Sequence, residues 1–128
     1  MTQRRDRLKK LVRVQEQLKA LHETRHAGFV AQAVAAGTEA QALTEAFGGD
    51  SPMPQLFPEL YHQRISAALA RQQLSMGLAG VEAAKVATAT ARTNIVERAY
   101  RDVRRQDERH SADRERLEII ERRSGEDK

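Results

Sequence analysis

The side chains that could do chemistry in this chain are few, and their spacing limits what they can do. His22 and His26 stand four apart, so a helix would present both imidazoles on one face, where they could meet a single metal ion. A structural or catalytic metal site takes three or four protein ligands, and no third ligand is evident beside them. Surface histidines on a charged helix are the simpler expectation. Gly48 and Gly49 could open a phosphate loop, but Asp50 follows directly and would repel the anion. Carboxylates are plentiful only as parts of alternating, solvated helix faces. No catalytic residue, cofactor site or metal site is expected, and an enzyme is the least favoured class.

The basic residues near the N-terminus, Arg4, Arg5, Lys9, Lys10 and Arg13, could bind phosphates, dock in an acidic protein groove, or form a solvated helix face. The aromatic interleaving of single-strand readers is missing, and no recognition-helix module is discernible. A specific nucleic-acid partner is therefore not expected.

The elements that must position these residues are marked by the stretch Gly48 to Pro58, GGDSPMPQLFP, which holds two adjacent glycines and all three prolines. A helix arriving from the N-terminal side can stop at Gly48, because glycine takes the left-handed terminating conformation without a Cβ penalty. A second helix can start at Pro58, since the first helical position needs no N–H donor. The reading is an all-α fold, an antiparallel two-helix coiled-coil hairpin with a longer second helix. Its first helix covers about 3–47, its turn 48–58 and its second helix about 59–123, with a frayed tail at 124–128; all belong to one domain.

Composition fits two helices better than a layered core. At 128 residues the chain is 31% charged and 4% aromatic, so there is apolar surface for one seam and little for a third layer. The absence of cysteine excludes a disulfide framework and is compatible with a cytoplasmic setting. No apolar window approaches a membrane span.

Along the first helix, Leu11, Val14, Leu18 and Leu21, with Leu8 one turn earlier, have the 3-4-3 spacing of a coiled-coil seam. The alanine-rich stretch Ala79 to Ala91 should lie opposite them, large side chains against small. Gly37, followed by Thr38 and by Gln41, could equally break this helix or pass through it. In the second helix Val96, Val103, His110 and Leu117 recur every seven residues, with Tyr100, Asp107, Arg114 and Glu121 in the alternate positions. His110 is expected to be a half-buried packing or partner residue. The turn places Met1 opposite about residue 104, leaving about twenty residues of the second helix unpaired.

Charge is concentrated at the two ends of the sequence. Residues 1–26 hold eight basic and three acidic side chains, 27–97 hold four and six, and 98–128 hold ten and nine. A hairpin would gather both charged ends at one pole.

A chain of two long helices, with PELYHQRISAALARQQ opening the second and ERAYRDVRRQDERHSADRERLEIIERR near its end, resembles the flagellar export protein FliJ and its injectisome relatives of the YscO type. The resemblance covers nearly the whole length. It implies an antiparallel coiled coil similar to the central stalk of rotary ATPases. The implied partners are the hexameric ring of the type III export ATPase, the cytoplasmic domain of the export gate, and export chaperones. The membrane would be reached only through the gate. On that reading Arg4, Arg5, Lys9, Lys10, Arg101, Arg104 and Arg105 would enter the ring, and Met53, Leu56, Phe57 and Tyr61 would contact gate or chaperone or simply close the coil. Leu117, Ile119 and Ile120, among alternating charges, are expected to anchor a partner. A structural or adaptor coiled coil of another assembly is the alternative, followed by a basic helical nucleic-acid binder; self-association is left open.

Overall fold

The computed structural model describes residues 2–126, all but a few of which are helical. α1 runs Thr2–Glu45, a 3-10 turn covers Ala46–Gly48, a single helical turn α2 covers Met53–Leu56, and α3 runs Pro58–Glu126. No strand occurs among the described residues.

The connection lies where the glycines and prolines put it, with a different geometry at its entry. The α-helix ends at Glu45 and tightens into the 3-10 turn, so helical backbone runs to Gly48, close to the expected end near residue 47. No described glycine has positive φ, so the expected left-handed stop at Gly48 is not used. Gly49 instead leaves extended (φ −88, ψ −179), and its N–H donates to the Ala46 carbonyl at 3.3 Å. A 3-10 turn closes on i to i+3 bonds and needs no left-handed residue. Within the expected turn, α2 is held by Leu56 N–H to Pro52 O (3.1 Å) and Phe57 N–H to Met53 O (2.9 Å), around the fully buried Pro54. Pro58 opens α3 as its first residue, the position where a missing N–H costs nothing.

One boundary that the sequence left open is settled, and one differs from its reading. α1 passes through Gly37 without a break. A Cβ there would lie 2.5 Å from Gln72 Nε2, so glycine at this point makes room for a side chain of α3 and does not end the helix. Ser124, Gly125 and Glu126 continue α3 and are not frayed; residues 127 and 128 of the expected tail lie outside the described residues.

The chain divides into two compact units. One comprises residues 1–18 and 89–128, the other residues 19–88. In the unit 19–88, α1 buries Ala33, Ala36 and Ala40, with His22, His26, Phe29 and Leu43 half-buried; α3 buries Ala68, Ser75, Ala79 and Glu82, with Tyr61, Ile65, Gln72 and Val86 half-buried. Both sets step alternately by three and four residues, the period of a heptad seam. Pairings across the unit join His22 to Glu82 and Glu39 to Arg71, so partner numbers fall on α3 as they rise on α1. In the other unit Leu8, Val12 and Gln15 are half-buried on α1, and Ala89, Thr93 and Val103 are buried on α3 with Val96, Tyr100 and Asp107 half-buried. The predicted run Val96, Tyr100, Val103, Asp107 is thus a protected stripe.

The expected seam of α1 is displaced by one residue. Leu8 is half-buried as expected, but Leu11, Val14, Leu18 and Leu21 are 41%, 47%, 40% and 44% exposed, while Val12, Gln15, Lys19 and His22 take the protected positions. The expected opposition of large leucines to small alanines does not form. In the unit 19–88 the most buried seam positions are mostly alanines, with Phe29, Leu43, Ile65 and Val86 half-buried among them and Val30, Val34, Leu69 and Met76 on a flank.

Candidate partner-binding surfaces

The basic residues and the unpaired run of α3 fall in one unit, and the turn residues in the other. In the unit of residues 1–18 and 89–128, Arg5 is half-buried and its guanidinium lies 4.0 Å from Asp107. Arg4, Lys9, Lys10 and Arg105 are exposed, and Lys9 and Lys10 line a shallow depression with Asp6 and Arg13. Arg101 reaches Glu97 at 3.9 Å, and Arg104 donates to Glu108 at 3.1 Å. These are i to i+4 pairs on a helix face, each adding a few tenths of a kcal/mol to helix stability. They hold their arginines part-neutralised, whereas Lys9, Lys10 and Arg4 have no such pairing on their own helix turn.

Beyond Asp107 every described residue of α3 is exposed. That run carries Leu117 (60% exposed), Ile119 (51%) and Ile120 (58%) among arginines and glutamates. His110 is exposed as well, which corrects the expectation that it packs: the protected stripe ends at Asp107, one step before it.

At the connection, Met53, Leu56 and Phe57 are 48%, 66% and 50% exposed. Tyr61 is half-buried and meets Phe47 edge-on, with ring centroids 5.7 Å apart. Phe47 also stacks on His62 at 5.2 Å. The aromatic cluster Phe47, Tyr61, His62 therefore closes this end of the unit, while Met53, Leu56 and Phe57 stay exposed. Phe47 and His62 were not singled out by the sequence; the signal for them was the heptad phase, which puts Phe47 seven residues after Ala40.

One buried polar contact also escaped sequence reading. His22 Nδ1 lies 2.8 Å from Glu82 Oε2, and Lys85 Nζ approaches the other carboxylate oxygen at 3.7 Å. His22 is therefore not a surface histidine. Burial pushes the Glu82 carboxyl up, but the His22 hydrogen bond and the charges of Lys85, His22 and Arg25 more than offset this and leave it below its ordinary value. Because an ionised carboxylate only accepts, the Nδ1 carries the proton. No group of three or more His, Cys, Asp or Glu among the described residues could hold a metal ion, and no helix among them is long and apolar enough to cross a membrane.

These features describe a helical protein whose polar contacts fix helix against helix and whose larger aliphatics point outward. No family model matches the chain, and neither a curated protein nor a solved structure matches it.

Proposed function

We propose that this chain is a non-enzymatic stalk or chaperone-type component of a flagellar or type III protein export apparatus, built as an antiparallel coiled-coil hairpin. The observation that carries the proposal is the unpaired run of α3 after Asp107, exposed throughout and bearing Leu117, Ile119 and Ile120. Apolar side chains ringed by charge on a helix without a neighbour suit docking into a protein groove. Arg4, Arg5, Lys9, Lys10, Arg101, Arg104 and Arg105 in the same unit would supply contacts to the lumen of the export ATPase ring. Unequal contacts with successive ring subunits would bias their states in turn, which couples nucleotide turnover to export without any hydrolysis by this chain. Met53, Leu56 and Phe57 would meet the export gate or a chaperone.

The test is capture of a hexameric ATPase from cytosol by the full chain, compared with a chain in which Leu117, Ile119 and Ile120 are replaced by Ser. Retention of the ATPase by the wild type alone supports the reading. Recovery of some other assembly by the same three residues favours the adaptor coiled coil, and recovery of DNA or ribosomes at physiological salt favours nucleic-acid binding.

A further inference from the structure

The unit 19–88 has two flanks of opposite character. On one side of its seam stand Arg25, Glu39, Arg64, Arg71 and Lys85, with Glu39 and Arg71 paired. On the other side Val30, Val34 and Gly37 of α1 accompany Leu69, Met76 and Gly80 of α3. The heptad positions outward of the seam on this second side hold no Asp, Glu, Lys or Arg from Thr24 to Thr44 or from His62 to Ala87. In a chain that is 31% charged, a face of that extent without charge is not a solvated helix surface. Val30, Val34, Leu69 and Met76 are 41%, 63%, 46% and 55% exposed on it. Between them lies a groove of about 400 Å³ lined by Val30, Ala33, Val34, Gln72, Met76 and Ala79.

We propose that this uncharged flank is the interface with a second copy of the chain. The absence of charge favours that occupant, and two further observations are compatible with it. A two-fold contact sets each face against its own copy, where any charge near the axis meets its like, so a face free of charge suits such symmetry. Gly80 stands in the interior of α3 on this flank, and a Cβ there would meet nothing within 4 Å. Glycine in a helix interior costs stability relative to alanine; Gly28 and Gly77, off this flank, are equally open, so Gly80 leaves room for another backbone to approach without by itself requiring one. Finally, the chain exposes 10020 Å² at 14.4 kDa, against roughly 6,800 Å² for a folded monomer of that mass. That excess is shared with the exposed run of α3 after Asp107, and it is of the order of the roughly 1,000–2,500 Å² that each subunit of an obligate dimer gives up.

The interface lies wholly in the unit 19–88 and uses none of the ring-docking residues, so it stands or falls apart from the proposed function. A dimeric wild type that captures no ATPase removes that function and keeps this interface, and a monomeric wild type does the reverse.

Sedimentation equilibrium of the full chain should give twice 14.4 kDa. Met76→Glu should weaken the dimer at least about tenfold, a change of 1.4 kcal/mol in association. Leu74→Glu, on the charged flank, should leave it intact. Gly80→Leu guards against simple unfolding: it raises helix propensity, yet should also weaken association at least about tenfold because the side chain fills the space of the approaching backbone. A wild type at single-chain mass, or a Gly80→Leu chain that dimerises as the wild type does, overturns the proposal. So does dissociation by Leu74→Glu with Met76→Glu unaffected.

Discussion

His22 of α1 donates its Nδ1 proton to Glu82 of α3 across 2.8 Å, and the carboxylate that receives it is only 6% exposed. A buried carboxylate is costly unless it is both hydrogen-bonded and faced by positive charge, and Glu82 has His22, Lys85 and Arg25 around it. The contact fixes which residue of α1 meets which residue of α3 in a seam whose most buried positions are mostly alanines.

Stability should therefore depend on pH through Glu82. Its carboxyl is held below the ordinary value of 4.5 in the folded chain, so folding favours the ionised form. The contribution is full above that value and is lost as pH falls through the lower folded one. Between about pH 7 and about pH 3 the melting temperature of the wild type should drop further than that of Glu82→Gln, which has no such proton to take up. Parallel curves for the two chains would show that Glu82 contributes nothing to folding. At neutral pH, His22→Ala should lower stability, because the carboxylate loses its donor.

The one-residue displacement of the α1 seam makes a second contrast. Val12 takes a protected position and Leu18, six residues on, does not. Val12→Asp should cost about 1–3 kcal/mol by placing a charge in the seam, whereas Leu18→Asp should stay within about 1 kcal/mol of the wild type. Urea unfolding of both variants measures this directly. A larger loss at Leu18 would restore the leucine stripe as the packed face.

That displacement also shows what the sequence could and could not tell. The connection, the start of α3 at Pro58 and the stripe Val96, Tyr100, Val103, Asp107 were legible because proline geometry and strict spacing are local properties. The packed face of α1 was not. Leu11, Val14, Leu18 and Leu21 form the more apolar stripe, but a helix presents one continuous seam, and counting back from Phe47 through Ala40, Ala36, Ala33 and Phe29 in steps of four and three lands on His22, Lys19, Gln15 and Val12. The alanines near the connection set the phase by allowing close approach, and the polar residues were carried in with them. His22 found Glu82 there, a pairing that no spacing along a single helix reveals.

Glycines within α1 offer a third test. At Gly28 an added Cβ would meet nothing within 4 Å, while at Gly37 it would sit 2.5 Å from Gln72 Nε2 and 3.3 Å from its Cδ. Gly28→Ala should stabilise the chain by about 0.5–1 kcal/mol through the lower entropy of the unfolded state and better helix propensity. Gly37→Ala should gain less, since Gln72 must move to make room; its amide end is flexible, so outright unfolding is not expected. Thermal melts of the two single variants rank them, and an equal gain at both would mean that Gln72 does not rest on Gly37.

The exposed run of α3 carries the functional stake. Leu117, Ile119 and Ile120 are each more than half exposed, and nothing in their own unit covers them. Replacing all three with Ser removes apolar surface that folding never buried, so helicity should be retained and melting should shift only slightly, by about what three exposed substitutions give, within ±0.5 kcal/mol each. If these side chains are the anchor for an ATPase ring, the same variant should lose capture of that ring while the wild type keeps it, because apolar anchors supply most of the affinity and the surrounding charges mainly orient and steer. Undiminished capture would remove the anchor assignment, leaving the basic residues near Arg4 as the remaining contact. A collapse of the melting temperature would place the three residues in a packed interface of the chain with itself, extending self-association from the uncharged flank of residues 19–88 to the end of α3.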